Sequence, residues 1–248
     1  MLKKMCYNKN TGCNNSVFFK YKGGFMDLLL IIVPLILIFA SQSYINSSYK
    51  KYSIYSIKSK MTGSDATKKI LEKHNLSNKI RVSKVSGTLT DNFNPKTNVI
   101  SLSNDIYTDS SIASVAVAAH ECGHVLQHEQ KYFFIMLRSI LVPIVNFSSN
   151  FGYVIMIAGF LFSAFDLAML GLIFMSMALV FQLITLPTEF DASKRAAKEL
   201  VSLGVITEEE LPQVKKMLRA AAYTYLASFF ANMAQMLRLF LTIRRNDD

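Results

Sequence analysis

The sequence predicts a mainly α membrane protein, with about four transmembrane helices and one small α+β segment able to fold in water. Three observations predict it. Of the 248 residues, 51% are hydrophobic and only 18% charged, a balance that favours a lipid surrounding. Leu28 to Tyr49, Ser139 to Phe165 and Leu167 to Thr188 contain no Asp, Glu, Lys or Arg, and each reaches the roughly 20 residues a helix needs to cross a bilayer. Between the first and second of these lies a polar stretch, residues 50 to 138, long enough to build a core of its own.

Taken in order, residues 1–25 are rich in Asn, Lys and Gly and read as a loosely attached tail. Residues 26–48 form the first span. Its apolar run, "LLLIIVPLILIFASQSYINSSY", is longer than the core of a signal peptide and follows an unusually long leader, so an uncleaved anchor fits better. Residues 49–137 hold the polar segment. In it "GSDATKKILEKHNL" predicts a helix from about 64 to 75 with Ser64 as cap and His74 facing solvent at its end. "KIRVSKV" and "NVISLS" alternate like short strands, and "DNFNPKT" between them carries the residues of a turn, giving a two- or three-stranded sheet. "YTDSSIASVAVAAHECGHVLQHEQ" then predicts a helix capped at Thr108, Asp109 or Ser110 and running to about residue 130.

Residues 138–188 form a hairpin of two spans that turns near Ser163 to Asp166. Residues 189–219 predict two amphipathic helices separated by Gly204, the second capped by Thr207. Residues 220–243 are less apolar and make a transmembrane or membrane-associated fourth helix, followed by a short tail at 244–248. The net charge of +10 comes from Lys and Arg spread along the flanks of the spans, not from one basic stripe, which argues for a lipid bilayer and against nucleic acid as partner. Cys6, Cys13 and Cys122 have no paired metal spacing and form no disulfide framework.

The chemistry concentrates in "AAHECGHVLQHE", which holds three of the four histidines. On a helix, His120 and His124 lie one turn apart on one face and can direct both imidazoles at one ion, with Glu121 beside it. This is the H-E-x-x-H arrangement, in which zinc lowers the pKa of a water and the glutamate takes its proton. A catalytic zinc normally takes three protein ligands. His128 stands about 12 Å from His120 along the axis, too far for tetrahedral coordination by all three on an unbroken helix. The third ligand must therefore come from elsewhere. "LPTEFDASKRA" supplies Glu189 and Asp191 at the end of the hairpin, on the side of His120. Thr188 and Asp191 have the spacing of a helix cap, which gives Asp191 a structural task and favours Glu189 as ligand. Cys122 points away from the histidine face. Arg219, Tyr223 and Tyr225 lie within reach of such a site, but tyrosines at a membrane edge serve as interfacial anchors and receive no role.

With "AVAAHECGHVLQHE", "LRSILVPIVNFSSN" and "FQLITLPTEFDASKRA" the chain resembles neutral zinc metallopeptidase family 2, a group of bacterial membrane peptidases. The likeness extends through "TGSDATKKILEKHNL", "GTLTDNFNPKTNVISLS" and "AAAYTYLASFFANMAQMLRLF". It implies a zincin-like catalytic segment in a multi-pass protein of the cell membrane, one Zn2+ held by His120 and His124, and Glu121 as catalytic base. A relation to HtpX-like peptidases implies a glutamate beyond a membrane hairpin in the pattern E-x-x-A-D. Glu189 and Ala192 match it, and Ser193 replaces the aspartate.

The function expected is zinc-dependent cleavage of membrane or membrane-proximal proteins. The alternatives are a zinc-stabilised membrane scaffold without hydrolytic activity and a metallohydrolase of lipids. More Lys and Arg flank the spans on the catalytic side (Lys50, Lys51, Lys58, Lys60, Lys131, Arg138, Lys194, Arg195, Lys198) than on the other (Lys20, Lys22, Arg244, Arg245), so the site is expected to face the cytoplasm. "NVISLS" is expected to be an edge strand that accepts an extended peptide.

Overall fold

A computed structural model describes residues 24–247; the predicted tail, with Cys6, Cys13, Lys20 and Lys22, falls almost wholly outside them. Seven helices and three strands follow in the order α1 (Phe25–Ile54), α2 (Gly63–Lys73), β1 (Arg81–Val85), β2 (Asn92–Asn94), β3 (Val99–Ser103), α3 (Asn104–Thr108), α4 (Ile112–Glu129), α5 (Phe133–Leu161), α6 (Phe165–Ser202) and α7 (Leu211–Asp247). The protein is thus mainly α with a small sheet, as expected. Helices α1, α5, α6 and α7 are long and apolar enough to cross a membrane. Their outward side chains are apolar and exposed, as at Phe39 (70%), Ile140 (62%) and Ile173 (59%), a surface suited to lipid. Pro34, Pro143 and Pro187 sit inside α1, α5 and α6, where neighbouring helices can tolerate the lost backbone bond.

Several local expectations change. Thr62, not Ser64, caps α2: its hydroxyl accepts from Asp65 N while Asp65 accepts from Thr62 N. His74 does not face solvent but meets Glu199 of α6 at 3.2 Å, beside Lys73 at 2.7 Å from the same carboxylate. Ser111 caps α4 through Ser114 N; of the predicted caps, Thr108 ends the separate short helix α3 (Asn104–Thr108), Asp109 is its C-cap, and Ser110 lies in the link before Ser111. Part of the predicted turn, Asn92–Asn94, is strand β2. The sheet order is β1-β3-β2, with β1 parallel and β2 antiparallel to β3, so "NVISLS" lies in the centre and cannot be the free edge. Ile100 and Leu102 are buried on one face and Val99 and Ser103 on the other, and a strand with buried side chains on both faces belongs inside a sheet.

The amphipathic segment at 189 is not a separate helix. Span three continues without a break into α6 as far as Ser202, so Thr188 is no cap; its hydroxyl donates to Ile184 O inside the helix. Gly204 does end α6, at φ +63°, where Gly204 N donates to Val201 O and Val205 N to Leu200 O. Thr207 is not the residue before the next helix; its backbone N–H donates to Glu210 and α7 starts at Leu211.

The core gathers around α4, where Val115, Ala116, Ala119 and Val125 are fully buried against α2, β3, α6 and α7. At Gly123 the backbone of α6 comes so close that an added Cβ would lie 2.5 Å from Ala192 O and 3.0 Å from its carbonyl carbon. Gly123→Ala should push α4 from α6 and cost about 1–3 kcal/mol, the range for overpacking a rigid core. Thermal unfolding checks this; an unchanged melting temperature would show that the two helices can separate at no cost.

Candidate metal centre

Helix α4 carries His120, Glu121 and His124, and α6 carries Glu189, so the close helix approach at Gly123 sets the spacing of the site. The two imidazoles meet edge to face with centroids 4.7 Å apart. Oε2 of Glu189 lies 3.3 Å from His120 Nε2 and 3.5 Å from His124 Nε2. Donor atoms about 2.0–2.1 Å from a tetrahedral zinc stand about 3.4 Å from one another. The three side chains therefore offer atoms at the spacing of a shared ion, and all lie within 4.8 Å of one another. Two imidazoles and a carboxylate are also one of the donor sets that zinc enzymes use.

The other ring nitrogens are held. His120 Nδ1 meets Ser193 Oγ at 3.2 Å, so the serine that departs from the E-x-x-A-D pattern contacts the first histidine. His124 Nδ1 meets Gln127 Oε1 at 3.1 Å, and the fully buried Gln127 donates to Thr188 O (2.7 Å) and Asp191 Oδ2 (2.9 Å). Such contacts fix ring orientation and leave Nε2 free for an ion. Asp191 also accepts from Arg195, so it faces Gln127 and Arg195. Arg138 of α5 donates to Glu189 Oε1 at 3.3 Å, which aims Oε2 at the histidines.

The electrostatics favour a cation. Burial works against a protonated His124, yet Glu189 and Glu121 outweigh it and hold its pKa above the ordinary value. Burial raises the Glu121 carboxyl, opposed by the two imidazoles. Cys122 lies in the core, where burial pushes its thiol up to about 12, a poor metal ligand. His128 packs edge-on to Phe93, with ring centroids 6.2 Å apart, and is not among the three donors that converge.

Two cavities flank the histidines. One, of about 320 Å³, is lined by Asp91, Phe93, Glu189 and Tyr225, with Ile135 and Arg138 from α5. The other, of about 260 Å³, includes Gln42 and Ile45 of α1 and Thr224 of α7. They share Asp91, His120, Glu121 and Tyr225, so one cleft passes across the centre. Asp91 is fixed by Ser103, whose N–H donates at 2.7 Å. Sequence reasoning gave no role at the metal centre to Arg138, Gln127, Asp91 or Tyr225. Only the "LRSI" and "VLQHE" contexts, each a polar residue at an apolar boundary, hinted at the first two. Of the other residues considered, Tyr223 meets the ring of Tyr44 at a tilt of 46° with centroids 5.8 Å apart, and Arg219 lines a separate groove.

Comparison with known proteins gives one family match. Residues 27–244 fit the family described as "Putative neutral zinc metallopeptidase". The Bacillus subtilis (strain 168) protein described as "Putative membrane protease YugP" is 38% identical over 221 residues, which cover 89% of this chain and 98% of the relative. No solved structure matches.

Proposed function

We propose, because the chain belongs to the neutral zinc metallopeptidase family, that this membrane protein is a zinc-dependent endopeptidase acting on membrane or membrane-proximal proteins. The observation that carries the reading is the convergence of His120, His124 and Glu189 beside a buried Glu121, in a cleft walled by the ends of α1, α5 and α7. A cleft built from membrane helices favours chains that enter or leave the bilayer.

In this reading His120 and His124 would hold the ion through their Nε2 atoms and Glu189 through a carboxylate oxygen. When bound, zinc lowers the pKa of a water and polarises the scissile carbonyl. Glu121 takes the proton of the attacking water and passes it to the leaving amine nitrogen, so that one carboxylate serves as base and then acid. Tyr225, on the wall shared by both cavities, offers a phenolic O–H to the carbonyl oxygen as it gains charge. β2 is one of the two edge strands of the sheet, and Asp91, Asn92, Phe93 and Pro95 line the cleft there. An extended peptide adding to this edge would cross the centre with its backbone fixed by main-chain hydrogen bonds. Of the described spans' flanking cations, Lys50, Lys51, Arg138, Lys194 and Arg195 lie on the catalytic side, which favours the cytoplasmic face of the cell membrane.

Purified protein should contain close to one zinc per chain and cleave an unfolded membrane-protein substrate. A chelator should abolish cleavage and added zinc restore it. Cleavage that survives complete metal removal, or a zinc-loaded protein inert towards every polypeptide tried, would overturn the reading.

A further inference from the structure

A cavity larger than either of the two at the metal centre lies away from it. It is a groove of about 630 Å³ between the C-terminal part of α6 and the start of α7. Its floor is apolar, formed by Ala197, Val201, Leu218 and Ala222, with Phe190 half exposed at one end. Its rims are basic. Lys194 and Lys198 stand on α6, Lys215 and Arg219 on α7, all four exposed.

None of these four cations has a carboxylate within salt-bridge distance among the described residues. The nearby Glu199 is occupied by Lys73 and His74. Each pair is spaced i, i+4, about 6 Å along its helix, and packed helices lie about 8–10 Å apart. Four long side chains at the corners of so small a rectangle can converge on one anion, and without one they repel.

The depth of the groove identifies the anion's source. Lys194 lies five residues beyond Glu189, where the uncharged run ends, which is about 7 Å at 1.5 Å per residue. Arg219 precedes the half-exposed Tyr223 on α7 by four residues, about 6 Å. The headgroup layer lies about 5–7 Å outside the hydrocarbon on each side. Basic pockets between membrane helices at this depth bind acidic lipid headgroups. A volume of this size suits one small amphiphile.

We propose that the α6–α7 groove binds an anionic phospholipid of the leaflet facing the catalytic segment. The phosphate sits among Lys194, Lys198, Lys215 and Arg219, and an acyl chain lies on the apolar floor beside Phe190. Ser193 lines this groove and touches His120 Nδ1, so the lipid would lie on the face of α6 adjacent to the one that carries Glu189.

The test uses the full-length protein in nanodiscs of phosphatidylcholine with and without phosphatidylglycerol, and reads bound lipid by native mass spectrometry together with thermal shift. Phosphatidylglycerol should be retained in preference to phosphatidylcholine. Each cation near an anionic headgroup contributes roughly fivefold, so the exposed double variant K194Q/R219Q should bind about 30-fold more weakly. Lys216→Gln, an exposed neighbour outside the groove, should have little effect. Equal retention of the two lipids, equal losses in the double variant and at Lys216, or an equal thermal shift with inorganic phosphate alone would each overturn the proposal. An acidic peptide that displaces no lipid yet needs Lys194 and Arg219 would overturn it too. These readouts require no peptidase activity, so they stand or fall apart from the catalytic reading.

Discussion

Glu121→Gln should leave zinc bound and lower peptide hydrolysis by about 10²- to 10⁴-fold, the contribution of a positioned general base. Glutamine keeps the size of the side chain and cannot take a proton. Glu121 is only 8% exposed and lines the cleft together with the two imidazoles, so a substitution of equal size brings few other changes. Burial raises its carboxyl pKa above the ordinary value. For an acid, a folded-state pKa above the unfolded one means that charge at neutral pH opposes folding, and that the penalty disappears as pH falls below the unfolded pKa. The variant should therefore melt no lower than wild type in the metal-free form at pH 7. Zinc content, hydrolysis and thermal unfolding of the same preparation check all three statements. Unchanged hydrolysis at full zinc content would remove Glu121 from the mechanism.

The membrane architecture was legible because its signal is long. Runs of more than 20 residues without a charge allow few arrangements, and the α5–α6 hairpin turns at Phe162 to Ala164, within a few residues of where the sequence predicts it. What was not legible is where the helices stop. Nothing local tells that α6 continues from lipid into the polar layer, because Thr188 and Asp191 have cap-like spacing and yet are engaged elsewhere. Thr188 turns back to Ile184, and Asp191 is held by Gln127 and Arg195. A long-range partner competed with the local pattern and won. β2 was missed for a similar reason: "DNFNPKT" has turn chemistry, but pairing with the buried β3 recruits Asn92–Asn94 into the sheet.

At the site, the histidine pair could be read from helical spacing because both candidate donors lie in one element. Convergence with Glu189 followed only from topology, and the residues that orient it followed from nothing in the sequence. Arg138 is 51 residues from Glu189, and Gln127 reaches Thr188 across 61. A polar residue at an apolar boundary has too many possible partners for sequence to choose among them. Gly123 carried a usable hint, being the one glycine in a helix otherwise rich in alanine, but the size of the effect came only from its distance to Ala192.

Glu189→Gln should weaken zinc binding by more than the 10- to 100-fold typical of changes to groups behind the ligands. The substitution removes the only carboxylate among the three converging donors, and with it the charge that draws a cation between His120 and His124. It also leaves Arg138 without its partner at 3.3 Å, though Arg138 is about a third exposed and solvent can take over much of that interaction. Asp191→Asn is the matched control. Asp191 touches Gln127, which in turn holds His124, so its loss should act only through ring orientation and stay within the 10- to 100-fold range. Competition against a chelator of known zinc affinity measures both variants on one scale. If the asparagine variant lost more affinity than the glutamine variant, the carboxylate at 191 would be the one that binds, and α6 would have to turn by about half a turn of helix to present it.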